Sequence, residues 1–129
     1  MFRFVKTLSG GNVHENINEL DVKISGSIIQ GSAVSCANNV LTNTSADGIP
    51  DYIFQRYSMS KGLKICQTIT NDMIFRVEYT SSTTPKIGMR VGLSNHLGVA
   101  DAVAYNSSGK GLIIGIENPN MVYVRFQKS

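Results

Sequence analysis

Tryptophan is absent from this chain, histidine occurs twice, and cysteine and proline number only two and three in 129 residues. Each shortage removes a class of function. Cys36 and Cys66 lie thirty positions apart with no further Cys or His at ligand spacing, which argues against a zinc site. One disulfide is allowed by parity. The reading favoured by the missing secretory signal is two small apolar residues in strands. His14 and His96 each sit in polar, turn-like surroundings, with no nucleophile or carboxylate held beside them by spacing. Ser35-Cys36 lacks the strand, sharp turn and helix of an esterase nucleophile elbow. Asp47, Asp51, Asp72 and Asp101 are not arranged as a calcium loop and read as turn caps. The expectation is a protein with no catalytic residues, no cofactor and no metal.

Charge is sparse as well. Asp, Glu, Lys and Arg together make up 16% of residues, and a net charge of +3 is spread without blocks of one sign. A nucleic-acid binder gathers its cations into a stripe with stacking aromatics, so nucleic acid is not the expected partner. Long apolar runs are missing too. No segment approaches the roughly 18–20 residues that span a bilayer, and the opening Met1-Phe2-Arg3-Phe4-Val5-Lys6 has too short an apolar stretch for a signal peptide. These features predict a soluble product, made in the cytoplasm of its host and leaving it only by lysis or assembly. The Gly-rich Ser107-Ser108-Gly109-Lys110-Gly111 lacks the spacing of a phosphate loop and predicts a hairpin turn.

What is present is strand pattern. Phe75, Val77 and Tyr79 alternate with Arg76 and Glu78, and Val122, Val124 and Phe126 alternate with Tyr123 and Arg125. Further strands are expected over Phe2 to Leu8, Val22 to Ile29, Ala33 to Leu41, Tyr52 to Tyr57, Leu63 to Ile69, Val99 to Tyr105 and Leu112 to Ile116. In Val99 to Tyr105 the alanines 100, 102 and 104 fall on one face. Pro50, Pro85 and Pro119 all stand in turns, and only His14 to Asp21, with Ile17 and Leu20 three apart, suggests a short helix. A pattern of strand and turn recurs: Gly31 to Val34, Tyr52-Ile53 and Phe75 to Tyr79 answer to Gly88 to Val91, Ile113-Ile114 and Val122 to Phe126. Thr80 to Thr84 reads as the loop between the copies. The predicted fold is all-β, a small antiparallel barrel or sandwich with a degenerate two-fold internal repeat, forming a single domain over residues 1–129.

The segment Ile87 to Phe126 resembles the head decoration and capsid-stabilising proteins of tailed bacteriophages. Its Gly88-x-x-Val91 strand, Ala100 to Ala104 strand, Gly109-Lys110 turn, Ile114-Gly115-Ile116 strand and closing Val122-x-Val124 strand follow the order found in that family. The resemblance implies a virion structural protein on the capsid exterior that clamps neighbouring subunits of the major capsid protein, often as a homotrimer. Adhesion of many copies through shallow contacts needs no titrating group. The candidate capsid contact is an N-terminal docking arm, residues 1–12, in which Phe2, Arg3, Phe4, Val5 and Lys6 could pair with an open sheet edge on a partner. Equally, Phe2 and Phe4 could begin the domain's own first strand. A second functional reading is a β-barrel binding module on a tail or fibre. It would offer loops Ser94 to Gly98 and Asn106 to Gly111 to a carbohydrate or receptor.

Overall fold

Alternating apolar residues, broken by Asn-, Gly- and Ser-rich turns, fold here into twelve strands among the described residues. They are β1 (Arg3–Thr7), β2 (Ile17–Leu20), β3 (Lys23–Ile24), β4 (Ala33–Ala37), β5 (Val40–Asn43), β6 (Tyr52–Tyr57), β7 (Lys64–Thr68), β8 (Met73–Tyr79), β9 (Arg90–His96), β10 (Val99–Tyr105), β11 (Gly111–Asn118) and β12 (Met121–Phe126). The computed structural model describes residues 1–8, 16–59 and 62–127. No helix occurs among the described residues. Ile17 to Leu20, expected to be helical, is a strand, because a pair of apolar residues three apart is too short a pattern to settle the period. His14 and Glu15 of that expected helix lie outside the described residues, as does the Ser9 to Asn12 end of the expected arm.

The second half closes on itself. Strand β8 pairs with β12 through Phe75 to Glu78 and with β10 through Glu78 and Tyr79, completing the ring β8-β10-β9-β11-β12. Five strands thus form a barrel, with β1 added beside the first half of β8. The interior holds Phe75, Val77, Val91, Val103, Ile113, Val122, Val124 and Phe126, all buried.

The first half repeats this design in its register. Strand order β5-β4-β6-β7 matches β10-β9-β11-β12, with the same antiparallel pairings. Val34 pairs with Tyr52 as Val91 pairs with Gly111. A bulge falls after Phe54 in β6 and after Ile113 in β11, so Gln55 and Ile114 are the extra residues of equivalent positions. Both halves turn their first hairpin on two residues with positive φ, Asn38-Asn39 (52° and 62°) and Leu97-Gly98 (54° and 81°), the geometry that suits right-handed strand twist. The equivalent of β8 in the first half is split. β2 pairs antiparallel with β7 and β3 pairs parallel with β5, with Asp21 and Val22 between them.

The repeat therefore exists, but its expected members shift: Tyr52-Ile53 answers to Gly111-Leu112 rather than to Ile113-Ile114, the copies meet between β7 and β8 rather than at Thr80 to Thr84, and the last strands pair differently. The counterpart of β12 is β7, and Phe75 to Tyr79 corresponds instead to the interrupted strand β2-β3. Three local expectations also change. Ala33 to Leu41 is a hairpin, because Asn38-Asn39 turns the chain. In β10 a bulge between Ala100 and Ala102 resets the alternation, so Ala100 and Val103 face the core and the three alanines do not share a face. Ser107 to Gly111 is a crossover, since β9 lies between β10 and β11. Gly109 makes it possible: a Cβ there would stand 2.1 Å from the Val91 carbonyl oxygen.

Two hydrophobic clusters result. The smaller gathers Ile28, Val34, Leu41, Phe54 and Cys66 inside the first half. The larger fills the barrel and also takes Phe2, Ala33, Ile53 and Ile69 from before it, so the halves share packing. Asn43 stitches them further. Its amide donates to the carbonyls of Ser27 at 2.7 Å and Gly98 at 2.8 Å, and its oxygen accepts from the Ala100 N–H at 2.9 Å.

Candidate functional site

The five residues of the expected arm divide between interior and surface. Phe2 is only 2% exposed, edge-on to Phe75 with ring centroids 6.3 Å apart and tilted against Phe126 at 5.6 Å. Phe4 meets Phe75 edge-on at 6.0 Å and is half-buried. Both rings anchor β1 to the barrel, so they are not presented to a partner. The alternation that makes a strand sticky on one face has been spent on the protein's own core. Arg3, Val5 and Lys6 remain exposed. The register shifts between Phe4 and Lys6, which makes Val5 the bulged residue and turns it outward.

Around Val5 the outer wall of the barrel forms a shallow groove of about 400 Å³, lined by Val5, Lys6, Ile74, Ile114, Gly115 and Tyr123. Each element supplies a reason for the depression. Ile74 lies on the outward face of β8 yet is 5% exposed, Ile114 is the bulged residue of β11, and Gly115 contributes no side chain. Ile116, 40% exposed, is two residues further along β11 from Ile114.

Polar groups near the groove are fixed in advance. Arg76 grips Glu117 through two bonds, Nε to Oε1 at 3.1 Å and Nη2 to Oε2 at 2.7 Å, while the Tyr123 hydroxyl donates to Glu117 Oε1 at 3.0 Å. The Arg76 bonds and then the Tyr123 bond hold the Glu117 carboxyl below its ordinary range, and Glu117 in turn raises the guanidinium. A side chain locked this way loses little freedom on meeting a partner. Sequence alternation pointed to β1 but could not point to β8, β11 and β12, whose outward residues become neighbours only through pairing.

The other residues singled out by sequence are tied into turns and core. Asp47 accepts from the Asn106 amide at 2.6 Å, Asp51 from the Cys36 backbone N–H at 2.9 Å, and Asp72 from the Thr70 hydroxyl at 2.5 Å. Asn106 builds the crossover, its side-chain oxygen accepting from the Ser108 N–H at 2.9 Å and its carbonyl from the Gly109 N–H at 3.0 Å. His96 ends β9 beside the turn. Among the described residues no group of three or more His, Cys, Asp or Glu could hold a metal ion. Both cysteines are free thiols. Cys66 occupies the place that Val124 takes in the second half, and burial first, then nearby Cys36, pushes its thiol up to about 12.

Comparison with protein-family models, with curated proteins and with solved structures found no match. The groove and its rim therefore speak for themselves. They combine apolar contact surface with charges already paired within the chain.

Proposed function

We propose that this protein is a noncatalytic virion structural protein that binds the outside of a phage icosahedral head and stabilises the capsid as a decoration subunit. The observation that carries the reading is the outward groove at Val5, Ile114 and Tyr123 on a barrel braced by a second copy of its own strand pattern. Apolar side chains at Val5 and Ile116, standing beside the preset Arg76–Glu117–Tyr123 group, support the reading as a small foothold for a partner. Aromatic and Arg side chains held in place are the usual anchors of such sites. Other large apolar side chains stand singly at the surface, among them Leu97 at 88%, Ile87 at 70% and Tyr57 at 55% exposed. Several weak footholds on a stiff body suit a lattice of identical partners, where fixed neighbours raise effective concentration.

The test is co-sedimentation with heads purified from particles lacking the protein. The expected result is saturation near one copy per capsid subunit, together with resistance of the loaded heads to heat. Tyr123→Ala and Ile114→Asp should each weaken head binding by about tenfold or more, the cost of losing an interface anchor, with the melting temperature as control for folding. Binding to host cells in place of heads, at few copies per particle, would replace this reading with a receptor-binding module of the tail or fibre.

A further inference from the structure

The first strand has two flanks, and they serve different surroundings. Val5 and Lys6 line the apolar groove, whereas Met1, Phe2, Arg3 and Phe4 line a separate cavity of about 420 Å³ between the start of β1 and the first-half sheet. Its opposite wall carries three amides, Gln30, Gln55 and Gln67. The cleft has a seam at one end: the Phe2 N–H donates to the Gly31 carbonyl at 2.9 Å, and the Gly31 N–H donates to the Phe54 carbonyl at 2.8 Å. Those bonds join β1 to β6 through a single residue. Beyond them β1 forms no ladder with the first-half sheet, and among the described strands it pairs only with β8. The Arg3 to Phe4 stretch thus borders an open wedge with a strand on each side.

We infer that this wedge is a binding cleft for an extended peptide segment of a partner protein, which continues the ladder between β1 and the amide wall. Three features select that chemistry. Two cations border the cavity, Arg3 and the Met1 terminus, and the ammonium of Met1 is already taken up by the Glu78 carboxylate and the Asp101 carbonyl; the rest of the lining is uncharged, and backbone amides need paired donors and acceptors such as three glutamines supply. The aromatic rings at the site are unavailable for stacking on a sugar, since Phe2 is 2% exposed and Phe4 packs against Phe75. The amides are loosely held: Gln55 Nε2 reaches both the Ile53 carbonyl and Gln67 Oε1 at 3.5 Å, near the limit for a useful bond. The Gln55 amide, only partly buried, can therefore turn its N–H groups to a better-placed carbonyl of a ligand.

The repeat adds an independent argument. Gln55 and Ile114 are the bulged residues of matching strands, and each lines the hollow on its own side of β1. Bulges re-aim a side chain, and the same re-aimed position carries an amide where the hollow is polar and an isoleucine where it is apolar. Recognition by strand addition draws affinity from main-chain bonds and specificity from adjoining pockets. Here both lie along one strand. The identity of the partner as a capsid subunit rests on the reading above, but the cleft does not.

The deciding experiment keeps heads out of the tube. Amide spectra of the full chain are recorded during titration with a pool of short, neutral, end-blocked peptides at millimolar concentration, and separately with cellohexaose. The expected result is movement of the Arg3 and Phe4 backbone signals and of the Gln55 side-chain amide with peptide alone. Gln55→Glu, which removes both amide donors, should weaken that response by about tenfold. Gln30→Ala serves as the second variant if Gln55→Glu lowers the melting temperature. Absence of shifts at these positions with peptide, equal shifts with the sugar, or full binding by both variants would overturn the cleft. Peptide binding without head binding would keep the cleft and remove the capsid as its partner.

Discussion

Cys66 shows how a residue type that suggests chemistry can serve as packing. Its neighbours in the first-half core are Val34, Leu41 and Phe54, and its equivalent in the second half is Val124. Burial raises its thiol from 9.0 to about 12, so in the native state it keeps its proton where the unfolded chain gives it up. Folded protein then binds more protons than unfolded protein above about pH 9, and stability falls as pH rises toward 12. Cys66→Val should flatten that decline by at most about 1.4 kcal/mol per pH unit, read as the difference in urea midpoints between pH 8 and pH 10. Leu97 is the opposite case. It sits 88% exposed with φ of 54°, a conformation that disfavours bulky side chains, where Asn or Gly would turn the hairpin with less strain. Among the described residues no contact accounts for a leucine there.

Among the strands, β1 carries the sharpest consequence. Phe2 and Phe4 fix it to Phe75 and Phe126, so Phe2→Ala should cost about 3–5 kcal/mol by thermal or urea unfolding, as expected for emptying a buried aromatic site. Deleting residues 1–8 should destabilise the barrel rather than release a docking device. The sequence made the strand itself plain, because two Phe alternate with Arg and Lys. Which partner receives that apolar face is decided by tertiary pairing, and a face sticky toward a capsid looks identical to one sticky toward β8. Bulges were hidden for a related reason: the extra residue in β10 at Asp101 leaves the one-dimensional alternation of alanines intact while reversing its meaning in space. The Asn38-Asn39 turn stayed hidden inside the expected Ala33 to Leu41 strand: side-by-side asparagines tolerate positive φ, but Val40 and Leu41 continue the apolar run and mask it. Gly88-x-x-Val91 and its match at Val34 did mark true equivalents, because a register anchored at β4–β6 and β9–β11 depends on local spacing.

At the level of the whole chain, two copies of one sheet pattern share packing without sharing strength. The second copy closes through an unbroken seven-residue β8, whereas in the first the edges stay separate, taken by β2 on one side and a two-residue β3 on the other. Asn43 carries much of the link between them, and Asn43→Ala leaves the Ala100 N–H and the Gly98 carbonyl without their partner. That variant should lose about 1–3 kcal/mol, and hydrogen exchange should show β2 to β7 opening before β8 to β12. A single unfolding transition in the parent protein, resolved into two in the variant, is the expected calorimetric signature. The split strand has a further bearing on biosynthesis. Translation is vectorial, and the copy that leaves the ribosome first is the one whose ring is interrupted and whose Ala33, Ile53 and Ile69 wait for a wall not yet made. Nascent chains of this protein therefore spend their early life with apolar side chains uncovered, and their yield depends on how quickly the ribosome delivers β8 to β12 and on chaperones that shield them until it does.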